Sequence, residues 1–125
     1  MNGQNKVERL QGGEIIISKE PGNSMEPILH SREPVILTPM TLDEALKYLK
    51  PGDICLSKFR GTLYTHKVYA LDEKRGVKIG NNHGHENGWT KQVYAKAHLI
   101  PRDKQGNLKE YLEDFIKNWK GYDGL

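Results

Sequence analysis

Apolar and polar residues follow two periods along this chain. Short β-branched or alternating runs fill most of the first hundred positions, and helical spacing appears in two places. Ile15-Ile16-Ile17 follows Gly12-Gly13 and predicts a first strand. A loop over 19–27 carries Pro21, Gly22, Asn23 and Pro27, and "PVILT" (34–38) predicts a second strand. "TLDEALKYLK" predicts a helix: Thr41 and Glu44 form a capping box, Leu42, Ala45, Leu46 and Leu49 make the apolar stripe, and Pro51-Gly52 stops it. "DICLSKF", "LYTHKVYAL" and "GVKIG" predict three strands, separated by Arg60-Gly61 and "DEKRG". In "LYTHKVYAL", strict alternation places Leu63, Thr65, Lys67 and Tyr69 on one face and Tyr64, His66, Val68 and Ala70 on the other. "NNHGHENG" predicts a polar loop, and "TKQVYAKAHLI" a last strand. In "NLKEYLEDFIKNW", Leu108, Tyr111, Leu112, Phe115, Ile116 and Trp119 recur at helical spacing, which predicts a C-terminal amphipathic helix.

The expected fold class is therefore α+β and mainly β: one domain with a short internal helix and a C-terminal helix. Residues 1–13 are expected to be a flexible leader, 14–103 the β domain, and 104–125 a helix packed on it or extending it. Thirteen glycines and six prolines fit many turns and short strands. The net charge of +3 comes from scattered basic residues, so nucleic acid is not an expected partner. The single cysteine, Cys55, excludes an internal disulfide and reads as a core thiol between Ile54 and Leu56. No apolar run approaches the ~18 residues of a membrane span, and the polar start does not resemble a signal peptide. The expectation is a soluble, cytoplasmic protein.

Candidate chemistry centres on three stretches. Ser24 sits in "PGNSMEPIL", a turn whose free backbone N–H groups could face a developing oxyanion; read alone, such a serine is a turn residue. A nucleophilic serine needs a base, and His66 is the best single general base near neutral pH. Lys67 lies next to it on the opposite face, so only one of the two is expected to reach Ser24. In "NNHGHENG", His83, His85 and Glu86 could supply three metal ligands, or Glu86 could orient His66.

In order along the chain, "GNSMEPIL", "KPGDICLSKF", "THKVYAL" and "KIGNNHGHENGW" resemble the blocks of type I signal peptidases, and more distantly the peptidase domain of SOS-response repressors. The resemblance spans about residues 14–100. Ser24-Met25-Glu26-Pro27 matches the serine box, Gly52-Asp53-Ile54 the Gly-Asp strand, and His66-Lys67-Val68 the His-Arg-Val box of the archaeal and endoplasmic-reticulum enzymes. Gly80, Asn81, Asn82 and Glu86 match the Gly-Asp-Asn-Asn box with its downstream acid; Asn87 is the neighbouring candidate for the acid's place. The chain departs from the pattern at Lys67, at Asn81 and in having no transmembrane anchor, which argues against a secretory signal peptide as substrate.

The resemblance implies a signal-peptidase-like coiled sheet or partial barrel. It implies a serine endopeptidase that needs no cofactor, with Ser24 as nucleophile, His66 as base and Glu86 as third member. Asn23, Met25 and Asn82 would serve the oxyanion or positioning. The partner would be an extended peptide or protein segment, and the C-terminal helix could dock a further partner. The alternatives are a binding module that keeps the fold without the reaction, and a metal-binding β protein built on His83, His85 and Glu86.

Overall fold

The computed structural model describes residues 3–124. Seven strands form one antiparallel sheet: β1 (Ile16–Lys19), β2 (Pro34–Pro39), β3 (Ile54–Phe59), β4 (Thr62–Asp72), β5 (Gly76–Gly80), β6 (Glu86–Thr90) and β7 (Gln92–Leu99). Their order is β1-β2-β7-β3-β4-β5-β6, so the last strand slots between β2 and β3. Helices α1 (Gly3–Gln11), α2 (Leu42–Tyr48) and α3 (Leu108–Asn118) complete the fold. The protein is thus α+β and mainly β, as its patterning predicts. The sheet curls at one end without closing: the Thr90 hydroxyl on β6 donates to Lys58 C=O on β3 at 2.5 Å.

Each face of the sheet carries a core. On one, Val35, Leu37, Ile54, Leu56, Ala95 and Ala97 pack with Leu10 of α1 and with Met25 and Leu29 of the 20–33 loop. On the other, Cys55, Val68, Val77 and Ile79 pack with Ala45 and Leu49 of α2 and with Tyr122. The capping box of α2 forms: Glu44 N–H donates to Thr41 Oγ1 at 3.2 Å, and Thr41 N–H to Glu44 Oε1 at 3.0 Å. α3 starts at Asn107, whose Oδ1 accepts from Glu110 N–H at 3.2 Å. None of its residues is fully buried; Phe115 and Trp119 touch the sheet through edge contacts to the His98 ring, with centroids 5.2 and 5.5 Å away.

Three features differ from the expected pattern. The segment read as a flexible leader contains α1. Its sequence offers only Val7 and Leu10 as an apolar stripe, too little for an isolated helix; tertiary contacts hold it. Leu10 is buried, and Lys6 Nζ, also buried, donates to Ser18 Oγ at 2.7 Å and pairs with Glu20. The polar loop gives way at Glu86 to β6, whose first residues, Glu86, Asn87 and Gly88, have poor strand propensity but which is bonded along β5. Finally, the alternation along β4 breaks after Val68, where a bulge shifts the register with β5. Leu71, pairing with Val77, therefore joins the face of Val68.

Candidate active site

The site lies where β5 leaves β4. Gly80 pairs with Lys67, and beyond it the chain turns away through Asn81–His85. Gly80 is required by close approach: a Cβ there would stand 2.3 Å from His85 C=O and 2.7 Å from the Tyr69 ring. Tyr69 OH donates to Asn81 C=O at 2.6 Å, and Asn81 Oδ1 accepts from the N–H groups of His83 and His85 at 2.8 and 3.0 Å. The aspartate-to-asparagine departure at Asn81 is thus accommodated, since its side chain acts here as an acceptor for two backbone donors.

The Ser24 turn docks on this loop through its carbonyls. Ser24 C=O accepts from Asn82 N–H at 2.7 Å, and Glu26 C=O from Asn82 Nδ2 at 2.9 Å. Asn23 C=O accepts from His83 Nε2 at 3.0 Å and from Glu26 N–H at 3.2 Å. Met25 anchors the turn from beneath, with its side chain 3% exposed in the core; only its backbone can serve chemistry. Ser24 is half-buried. Its Oγ, its N–H and the N–H of Met25 have no hydrogen-bond partner among the described residues.

Glu33 fixes the far end of the same loop. It accepts from His30 N–H (3.0 Å), from Arg102 through both oxygens (3.2 Å each) and from Gln105 (2.9 Å). Burial works to raise its pKa, but the hydrogen bonds from Arg102, His30 and Gln105 outweigh this and hold it at about 2.

Lys67 faces this region, whereas His66 lies on the opposite face of β4, and no hydrogen bond or ring contact joins it to the Ser24 turn. His66 pairs across the sheet with Cys55 and stacks on Tyr64, with ring centroids 4.6 Å apart. It is 6% exposed, and its Nδ1 lies 2.7 Å from Asn87 Oδ1. An amide oxygen only accepts, so Nδ1 carries the proton and Nε2 is the basic nitrogen. Burial pushes the pKa below its ordinary value; the Asn87 bond opposes this, and His85 adds to it. The ring is therefore neutral at physiological pH, as a general base must be, and Nε2 has no partner among the described residues. Lys67, on the face of Ile54, sends Nζ to Asn82 Oδ1 at 3.3 Å and lies 5.0 Å from the Tyr69 ring centroid.

No family model matches this chain, and no curated protein and no solved structure is similar to it. What the residues can do therefore rests on their own geometry.

Of the residues singled out from the sequence, Asn23, Ser24, Met25 and Asn82 share one turn-and-loop assembly. Glu86 stands outside it, exposed and bonded to Lys78 Nζ at 2.5 Å; the partner of His66 is Asn87, one residue on. His83, His85 and Glu86 do not converge as metal ligands. His83 turns to Asn23 C=O and Glu86 to Lys78, and among the described residues no group of three His, Cys, Asp or Glu side chains is disposed to hold a metal ion. Cys55 is fully buried, and burial pushes its thiol up to about 12, so it is no nucleophile. Sequence reasoning missed the roles of Tyr69 and His83. The signal for Tyr69 was available in part: "KIGNNH" must turn sharply after Gly80, and a tyrosine two residues after Lys67 can reach that turn.

Proposed function

We propose that this protein is a serine endopeptidase of signal-peptidase type, with Ser24 as nucleophile and His66 as general base. One observation carries the reading. Ser24 Oγ and His66 Nε2, the two atoms the reaction needs, are both left without hydrogen-bond partners among the described residues, as are the N–H groups of Ser24 and Met25. No hydrogen bond joins the pair, His66 lying on the sheet face of Cys55 and the Ser24 turn packing through Met25 on the face of Ile54. His66 Nε2 would take the Ser24 proton as Oγ attacks a peptide carbonyl. The tetrahedral oxyanion would be met by the free N–H groups at Ser24 and Met25, with the Asn23 side chain close by. His66 would then protonate the leaving amine, and water would release the acyl group by the same route. Among the described residues, no strand pairs with the β5-facing edge of β4 before Lys67, so an extended peptide could pair there.

Asn87 makes this a muted triad. An amide orients Nδ1–H as a carboxylate does, but it does not neutralise the imidazolium that forms. A second reading uses Lys67 as the base, because Asn82 links its amine directly to the Ser24 turn. A fluorophosphonate probe separates these readings. Labelling lost in Ser24→Ala and His66→Ala but kept in Lys67→Met supports the Ser24/His66 pair. Labelling kept in His66→Ala and lost in Lys67→Met moves the base to Lys67. No labelling of the wild type leaves a binding module with this fold.

A further inference from the structure

We infer that His83 is a positioning residue that aims the Ser24 peptide N–H at the oxyanion, acting through the carbonyl of Asn23. The inference rests on the peptidase reading above and adds a residue which that reading does not use.

A peptide unit is planar and trans, so its C=O and N–H point in opposite directions. Whatever holds the C=O therefore aims the N–H of the following residue. His83 Nε2 holds Asn23 C=O at 3.0 Å, and that carbonyl belongs to the same peptide plane as Ser24 N–H. Asn82 N–H holds Ser24 C=O at 2.7 Å, which belongs to the plane of Met25 N–H. Two consecutive planes are thus gripped on their carbonyl sides by neighbouring residues of one loop. Both N–H groups are left without partners among the described residues. Gripping a carbonyl also polarises its plane, which makes the N–H a better donor.

The loop is built to deliver His83 to this place. Asn81 Oδ1 accepts from His83 N–H at 2.8 Å, and Tyr69 OH holds Asn81 C=O, so the backbone of residue 83 is fixed from β4. The imidazole then crosses to a residue 60 positions earlier in the chain. Asn23 C=O has one other donor, Glu26 N–H at 3.2 Å, which closes the turn but comes from within it. Among the described residues, only His83 ties that plane to the loop anchored on β4 and β5. Without it, only Glu26 N–H, which moves with the turn, holds the Asn23–Ser24 peptide, and the aim of Ser24 N–H loosens.

The geometry makes a demand that does not depend on activity. Asn23 C=O is an acceptor, so His83 Nε2 must carry a proton. Nitrogen NMR of the ring in the full chain reads this directly, and a protonated Nε2 with a coupling to the Asn23 carbonyl carbon is expected. A bare Nε2 overturns the inference whether or not the protein hydrolyses peptides. The kinetic arm uses His83→Ala and His83→Gln, the glutamine offering an amide N–H of similar reach. Losing a whole oxyanion donor costs roughly 100-fold or more in kcat; mis-aiming one, with Glu26 N–H still in place, should cost about 10-fold, with KM little changed. The glutamine variant should recover most of that loss. A wild type that turns over, beside a His83→Ala variant with the same kcat, overturns the inference and leaves the Ser24/His66 pair standing. A wild type that never labels refutes the peptidase reading, and the ring tautomer alone then decides whether the grip on Asn23 exists.

Discussion

Replacing Glu33 with glutamine tests how the Ser24 loop is held. The substitution keeps size and shape but removes the charge that Arg102 faces. The Glu33 carboxyl is held at about 2 against an ordinary 4.5, which at about 1.4 kcal/mol per pH unit corresponds to roughly 3.5 kcal/mol. Arg102 stands 57% exposed, so solvent screening reduces this, and about 2 kcal/mol is the working figure. The folded-state pKa lies below the unfolded one. The contribution is therefore fully present above about pH 4.5 and is lost as pH falls through about 2. Urea unfolding of both proteins at neutral pH should show the variant less stable by about 2 kcal/mol, and the gap should shrink as the titration is taken toward about pH 2. A gap that stays constant across that range would refute the electrostatic account, and a gap near zero at neutral pH would show that the loop is held by packing alone. Because Glu33 also accepts from His30 N–H, hydrogen exchange in residues 23–30 should rise in the variant.

Other consequences follow from single contacts. Asn87→Asp supplies the missing carboxylate at His66 Nδ1, so it should raise the His66 pKa and increase turnover by about 10-fold or more, read by proton NMR of the ring and by peptide cleavage. Gly80→Ala places a Cβ against His85 C=O and the Tyr69 ring; the loop must shift, and both stability and probe labelling should fall, by about 2 kcal/mol in urea unfolding. Burial pushes the His98 ring down to about 4, with Lys96 lowering it further and Asp53 opposing. Its folded pKa lies below the unfolded value, so stability is full above about 6.5 and declines as pH falls toward 4. In His98→Gln the acid limb of the denaturation profile should flatten, and NMR should find the wild-type ring titrating near 4.

Much of the sheet was legible because its strands alternate or run apolar: Ile54, Leu56 and Val35, Leu37 face one core, and Cys55 and Val68 the other. The capping box announced α2 because both of its bonds are local. What escaped notice depends on distant partners. Helix α1 needs Ser18 and Glu20 to hold Lys6, and β6 needs β5 to pair with residues that would otherwise loop. The bulge after Val68 leaves no mark in a run of ordinary strand residues.

The site was legible to a similar depth. Ser24, Asn82 and His66 stand out by residue type, and the structure gathers the first two directly. The choice between Glu86 and Asn87 could not be read from "GHENG", because neighbouring residues on a strand point to opposite faces and the sequence does not give the register. A break in register decides the placement: Gly80 pairs with Glu86 and Ile79 with Gly88, so Asn87 is the extra residue between them, and its side chain lies at His66. His83 looked like a metal ligand because a histidine in a glycine-rich loop suggests one. Its partner, a carbonyl in another loop, cannot be seen from its neighbours.

The central claim is a proton-transfer couple between Ser24 and His66, and a crystal structure of the protein after reaction with a phosphonate probe tests it most directly. The account predicts phosphorus bonded to Ser24 Oγ, His66 Nε2 about 3 Å from that oxygen, and Nδ1 still on Asn87. Phosphorus on another residue, or Lys67 rather than His66 beside the bonded oxygen, would contradict it.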